Sequence, residues 1–117
     1  MLNPGETIYL LEKDGVLLGR MPLERVEMFA IHCSFQPTPA FESFRALFDE
    51  DNALAEQLAF DDSPETLARS ELVLEQVQAL RLTLRREGTN QGYREFLLGI
   101  HGERADFRPL DINEEPL

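Results

Sequence analysis

Two imidazoles, one thiol and a band of carboxylates are the side chains of this sequence equipped to do chemistry. His32 and His101 would form a two-histidine metal or acid–base site if their strands were neighbours, since strand parity puts both on the outward face. A metal site normally takes more than two protein ligands, however, and Cys33, next to His32, is turned to the opposite face by alternation. Packing and hydrogen bonding describe the histidines better, and no metal or cofactor is expected. Cys33 itself reads as a small buried hydrophobe. Nothing near it in sequence offers the cationic setting that lowers a thiol pKa. As the only cysteine, it excludes an internal disulfide and every multi-cysteine metal motif.

Carboxylates cluster at Asp49-Glu50-Asp51 and at Asp61-Asp62. They could hold a divalent cation or imitate a phosphate backbone, but such runs usually solvate a face or cap a helix. Asp61-Asp62 stands just ahead of a predicted helix N-terminus, where negative charge is favoured. A basic partner is the second reading. Gly5, Gly15, Gly19, Gly88, Gly92, Gly99 and Gly102 never approach a phosphate-loop spacing, and no HExxH, EF-hand loop or GxSxG is present. No catalytic residue is assigned, and the reading leans away from an enzyme.

Charge is unevenly laid out. From Glu42 to Glu75 ten acidic residues face only Arg45 and Arg69, whereas Leu80 to Arg108 carries six arginines against four acids. The formal net charge is −11. A nucleic-acid backbone or an anionic membrane would be repelled over roughly 8 Å at physiological salt, which argues against both as partners. A basic protein would be attracted. No apolar run approaches the roughly 20 residues that cross a bilayer. The N-terminus lacks the pattern of a secretory signal, so a cytoplasmic location is expected.

These residues need elements to position them. At 117 residues the chain reads as one domain over residues 1–110, with a mobile acidic tail at 111–117. Thr7–Glu12 and Val16–Met21 read as strands joined by Asp14-Gly15, a two-residue turn of the type that needs positive φ twice. That turn predicts Leu11 opposite Leu18 and Tyr9 opposite Arg20. Pro22 punctuates, and 25–36 reads as one long strand with Glu27, Phe29, Ile31, Cys33 and Phe35 facing the core. Thr38 is expected to cap a helix with Pro39 at its first position, and Phe41, Phe44, Leu47, Phe48, Leu54 and Leu58 recur at helical spacing. Ser63-Pro64 repeats the start signal for a second helix to about Ala79, burying Leu67, Leu74 and Val77. Period two returns over 80–86, 93–101 and 104–110, around a polar loop at 87–92.

The order βββ-αα-βββ predicts an α+β fold: a mainly antiparallel sheet of five to six strands with two helices packed on one face. Parity then gathers Tyr9, Met28, Arg81, Arg85, Tyr93, Leu97 and His101 on the sheet's outer face, beside Leu11, Leu18 and Ala30. Tyr, Met and Arg are enriched at interfaces, and apolar patches are rarely left open. The expected function is therefore a small, acidic, non-catalytic interaction module, like an inhibitor, immunity protein or dedicated chaperone. It would bind a protein partner, plausibly basic, or a second copy of itself as a homodimer. The alternative is a small-ligand-binding domain, its apolar pocket lying between sheet and helices and lined by Phe41, Phe44 and Phe48.

Overall fold

The computed structural model describes residues 4–117, so the first three residues of the expected 1–110 domain lie outside the description. The α+β class holds. The strands are β1 (Ile8–Lys13), β2 (Val16–Glu27), β3 (Ala30–Ser34), β4 (Gln36–Pro37), β5 (Thr83–Arg86), β6 (Gln91–Tyr93), β7 (Phe96–His101), β8 (Arg104–Pro109) and β9 (Glu115–Pro116). Between β4 and β5 stand a short 3₁₀ turn (Pro39–Phe41), α1 (Glu42–Leu58) and α2 (Pro64–Ala79). All pairings are antiparallel, in the order β7-β8-β3-β2-β1-β5-β6-β9 with β4 also on β2. That is more than the five to six strands expected, because β4, β6 and β9 are too short to leave a period in the sequence.

β2 organises the sheet. It pairs with β1 from Val16 to Pro22 and with β3 from Leu23 to Glu27. Pro22 therefore does not end a strand. Leu23 N–H donates to Thr7 at 2.9 Å, so alternation turns the Pro22 nitrogen the other way, into the gap between β4 and β3. Asp14 and Gly15 both have positive φ, 51° and 81°, as a type I′ turn demands. A bulge between Leu11 and Glu12 then absorbs Leu18 and shifts every later partner, so Met21 and not Arg20 sits opposite Tyr9. The expected 25–36 strand is also broken: Met28 and Phe29 form a turn, and β2 and β3 make a second hairpin.

Bulges curl the sheet until its ends face one another across a core. Tyr9 on β1 meets Phe107 on β8 edge-on at 5.2 Å, and Tyr93 on β6 meets the same ring at 5.7 Å. Leu11, Met21, Leu84, Ile100 and Cys33 fill the remainder of the interior. α1 lies along β7, the end strand, and Asn52 donates to the otherwise unpaired carbonyl of Ile100, covering that edge. α2 packs chiefly on α1, so the two helices do not both lie on the sheet. Its buried residues are Thr66, Val73 and Val77, whereas Leu67 and Leu74 are exposed. Ser63 caps α2 as expected, its Oγ accepting from Thr66 N–H. Thr38 does not use its side chain as a cap: its Oγ1 donates to the Leu17 carbonyl at 2.6 Å and ties the helical connection to β2.

Candidate functional site

The residues expected on one outward face go to different places. Tyr9 is 0% exposed and Tyr93 is buried, both enclosed by the curl, where each packs on Phe107. Arg85 is half-buried and clamps Glu12 across β1 and β5, with Nε–Oε1 3.0 Å and Nη2–Oε2 2.7 Å. Arg81 lies outside the sheet, in the residue after the α2 C-cap. Leu97 and His101 do face solvent from β7. Met28 stands apart at the tip of the β2–β3 hairpin, 91% exposed.

That tip carries three exposed apolar side chains, Val26, Met28 and Phe29, beside a concave surface. Met28, Phe29 (68% exposed) and Val26 form one wall of a groove of about 300 Å³. Pro109 and Ile112 (81% exposed) form the other wall, and Ile31 and Tyr93 contribute from the core side. Arg108 stands at the rim. Met28 holds φ 52°, a backbone region that costs an L-residue on the order of 1 kcal/mol and usually goes to Gly or Asn. Strain of this kind placed on an exposed methionine points to use of the side chain. Parity reasoning sent Phe29 inward and so missed it. The one sequence signal was an isoleucine within an otherwise polar tail, Asp111-Ile112-Asn113-Glu114.

The tail touches the sheet at several points. Glu115–Pro116 pairs with β6, Glu114 meets Arg86 Nε at 3.1 Å, and Arg94 donates to the Leu117 carbonyl at 3.0 Å. These contacts set Ile112 beside the hairpin.

A second groove, of about 530 Å³, lies between the end of α2 and the strands β5 and β7. The phenylalanines expected to line a pocket are elsewhere. Phe41 and Phe48 are buried with rings 5.8 Å apart, Phe35 packs edge-on against Phe41 at 4.9 Å, and Phe44 is half-buried beside them.

His32 and His101 sit on β3 and β7 with β8 between them, opposite Asp106 and Arg104 respectively. Among the described residues no three His, Cys, Asp or Glu side chains group to hold a metal ion. Asp61 accepts hydrogen bonds from Gln57 Nε2, Ser63 N–H and Thr66 Oγ1, which hold its carboxyl well below the usual carboxylate range. It braces the start of α2. Glu50 pairs with Arg69 at 2.8 Å, joining α1 to α2.

Burial pushes the Cys33 thiol up to about 12, and the carboxylates of Glu24 and Asp106 add to the effect. Only the thiolate attacks an alkylating agent, so iodoacetamide at pH 8 is expected to label native Cys33 slower than urea-unfolded chain by on the order of 10³-fold. Equal rates, followed by mass spectrometry, would contradict the burial described.

Among the described residues no helix is long and apolar enough to cross a membrane. No protein-family model matches the chain, and no curated protein or solved structure matches it either.

Proposed function

We propose that this protein is a non-catalytic interaction module that docks a basic protein partner through the tip of the β2–β3 hairpin and the groove beside it. The observation that carries the reading is the pair Met28-Phe29, exposed together on a strained turn and backed by Val26 and Ile112. Methionine and aromatic side chains are enriched at interface cores, and such anchors carry most of the binding energy where they enter a partner's pocket. The rim favours positive partners. Glu27 pairs with Arg25, Glu114 with Arg86 and Glu115 with Arg94, which leaves Glu24 and Asp111 against Arg108 around the groove. Long-range attraction from a net charge of −11 would steer a basic surface toward it.

The test uses a double substitution chosen to keep the fold. Met28→Asn suits the positive φ and Phe29→Ser removes the exposed ring, so thermal stability is expected to hold or rise slightly. Loss of such an anchor costs about 2 kcal/mol, or roughly 30-fold in affinity. Immobilised wild type is expected to retain from a native lysate a protein that the double variant releases and that added salt weakens. Identical capture by both forms would defeat the proposal. Concentration-dependent mass in analytical ultracentrifugation, abolished by the same variant, would make the partner a second copy of this chain.

A further inference from the structure

The curled sheet stops short of closing. β7 and β9 are the ends of its strand order, and a seam lies between β7 and the start of β5, bordered by the C-terminal end of α2. This seam is the groove of about 530 Å³, a volume in the range that holds small molecules. Val77, Leu82, Phe96, Leu98 and Leu110 make up the apolar half of its lining, beside Gln78, Thr83 and three charged residues. Arg81, Arg94 and Glu95 supply its charge, and Arg94 is already paired with Glu115, which leaves Arg81 as the cation of the lining without a carboxylate partner among the described residues.

Arg81 is the informative member. It holds φ 53° in the position after the C-cap Leu80, where glycine normally ends a helix without conformational cost. The turn itself does not need a guanidinium. Arg81 N–H donates to the Gln78 carbonyl and Leu80 N–H to that of Val77, each at 3.1 Å, while Lys13 Nζ donates to the Leu80 carbonyl at 2.8 Å. Arg85, Arg86 and Arg94 each have a carboxylate partner, at Glu12, Glu114 and Glu115. Arg81 has none among the described residues. A free, planar cation beside the apolar residues of a mixed groove is half of a recognition pair.

We infer that the seam binds a monocarboxylate with an unbranched apolar tail, its head on Arg81 and its tail along Phe96, Leu98 and Leu110. A carboxylate presents two acceptors that match the guanidinium fork, which a hydroxyl or an ammonium does not. One negative charge complements the guanidinium of Arg81, whereas Glu95 would oppose a dianion. Burying the tail over the apolar wall supplies affinity in proportion to the area covered. This site is separate from the hairpin groove: the linings share no residue, and either could fail without the other.

Octanoate is the probe, because its chain is short enough to stay monomeric at the concentrations a titration needs. Titrated into the ¹⁵N-labelled full chain, it is expected to shift the amides of Leu82, Thr83, Phe96, Leu98 and Leu110 to saturation. Octan-1-ol and octyltrimethylammonium are expected to bind at least about tenfold more weakly. Arg81→Gln, at an exposed position, is expected to keep the melting temperature and lose about tenfold in octanoate affinity. Absence of saturation at millimolar octanoate, equal binding of the alcohol, unchanged affinity in Arg81→Gln, or shifts confined to the hairpin groove would each overturn the inference.

Discussion

Replacing Phe107 by alanine is expected to destabilise the protein by about 4 kcal/mol, whereas the same change at Phe29 should cost less than about 0.5 kcal/mol. Phe107 is the ring on which the two ends of the sheet converge. It is 1% exposed, with Tyr9 at 5.2 Å, Tyr93 at 5.7 Å and Phe96 at 6.3 Å between ring centroids. Four strands meet there or beside it, so no single neighbour can move in to fill the space without unpairing a strand. The cavity cost therefore adds almost fully to the lost transfer energy. Domains of this size are stable by roughly 5–15 kcal/mol, so the loss is a large share of the whole. In thermal unfolding it corresponds to a drop of about 15 °C. Phe29 has no such enclosure. A loss below about 1 kcal/mol at Phe107, or equal losses at both positions, would show that the curl does not close around this ring.

The contrast between these two phenylalanines shows which parts of the structure were legible in the sequence. Period two at Leu82 and Leu84, and again at Leu98 and Ile100, identified residues that are buried, although the expected 80–86 strand begins only at Thr83 and the expected 93–101 strand splits at Arg94-Glu95 into β6 and β7. Asp14-Gly15 marked its turn for a local reason, positive φ, that composition reveals. Phe29 was misplaced since parity counts assume an unbroken strand, and the turn at Met28 contains neither glycine nor asparagine to announce it. Tyr9 and Leu11 share a face as alternation requires, but nothing in the hairpin's own sequence said that this face is the core, and the bulge at Leu18 shifted the partners on β2. In α2 none of the three leucines, Leu67, Leu72 and Leu74, is buried. Because α2 rests on α1, only the narrow line through Thr66, Val73 and Val77 is covered. Of the residues expected at a docking site, Met28 and Tyr93 line the hairpin groove and Arg81 the seam; their partners in each place come from segments distant in sequence, such as Ile112 and Leu110.

Gly92→Ala is expected to be the most damaging small change, at about 3 kcal/mol, and to act on the candidate docking surface as well as on stability. A Cβ built on Gly92 would overlap the Leu84 carbonyl oxygen, and its next neighbours are also backbone atoms of Leu84 and Arg85. Backbone cannot swing aside as a side chain can, so β5 and β6 must separate. Gly92 pairs with Arg85 on one side and with Glu115 on the other, which makes β6 the hinge that holds the tail. Its separation would release Tyr93, which lines the hairpin groove and packs on Phe107, and would loosen the strand that sets Ile112 opposite Met28. Hydrogen exchange should therefore accelerate together at Tyr93 and Leu117, whose N–H groups belong to β6 and to the Asn90 contact, while the β1–β2 hairpin keeps most of its protection. Partner capture should fall in the same variant even at temperatures where β1 and β2 stay folded. If alanine at 92 leaves the melting temperature within about 1 °C, or if tail protection survives while capture is lost, then the tail does not form the second wall of the docking surface and the hairpin alone must carry it.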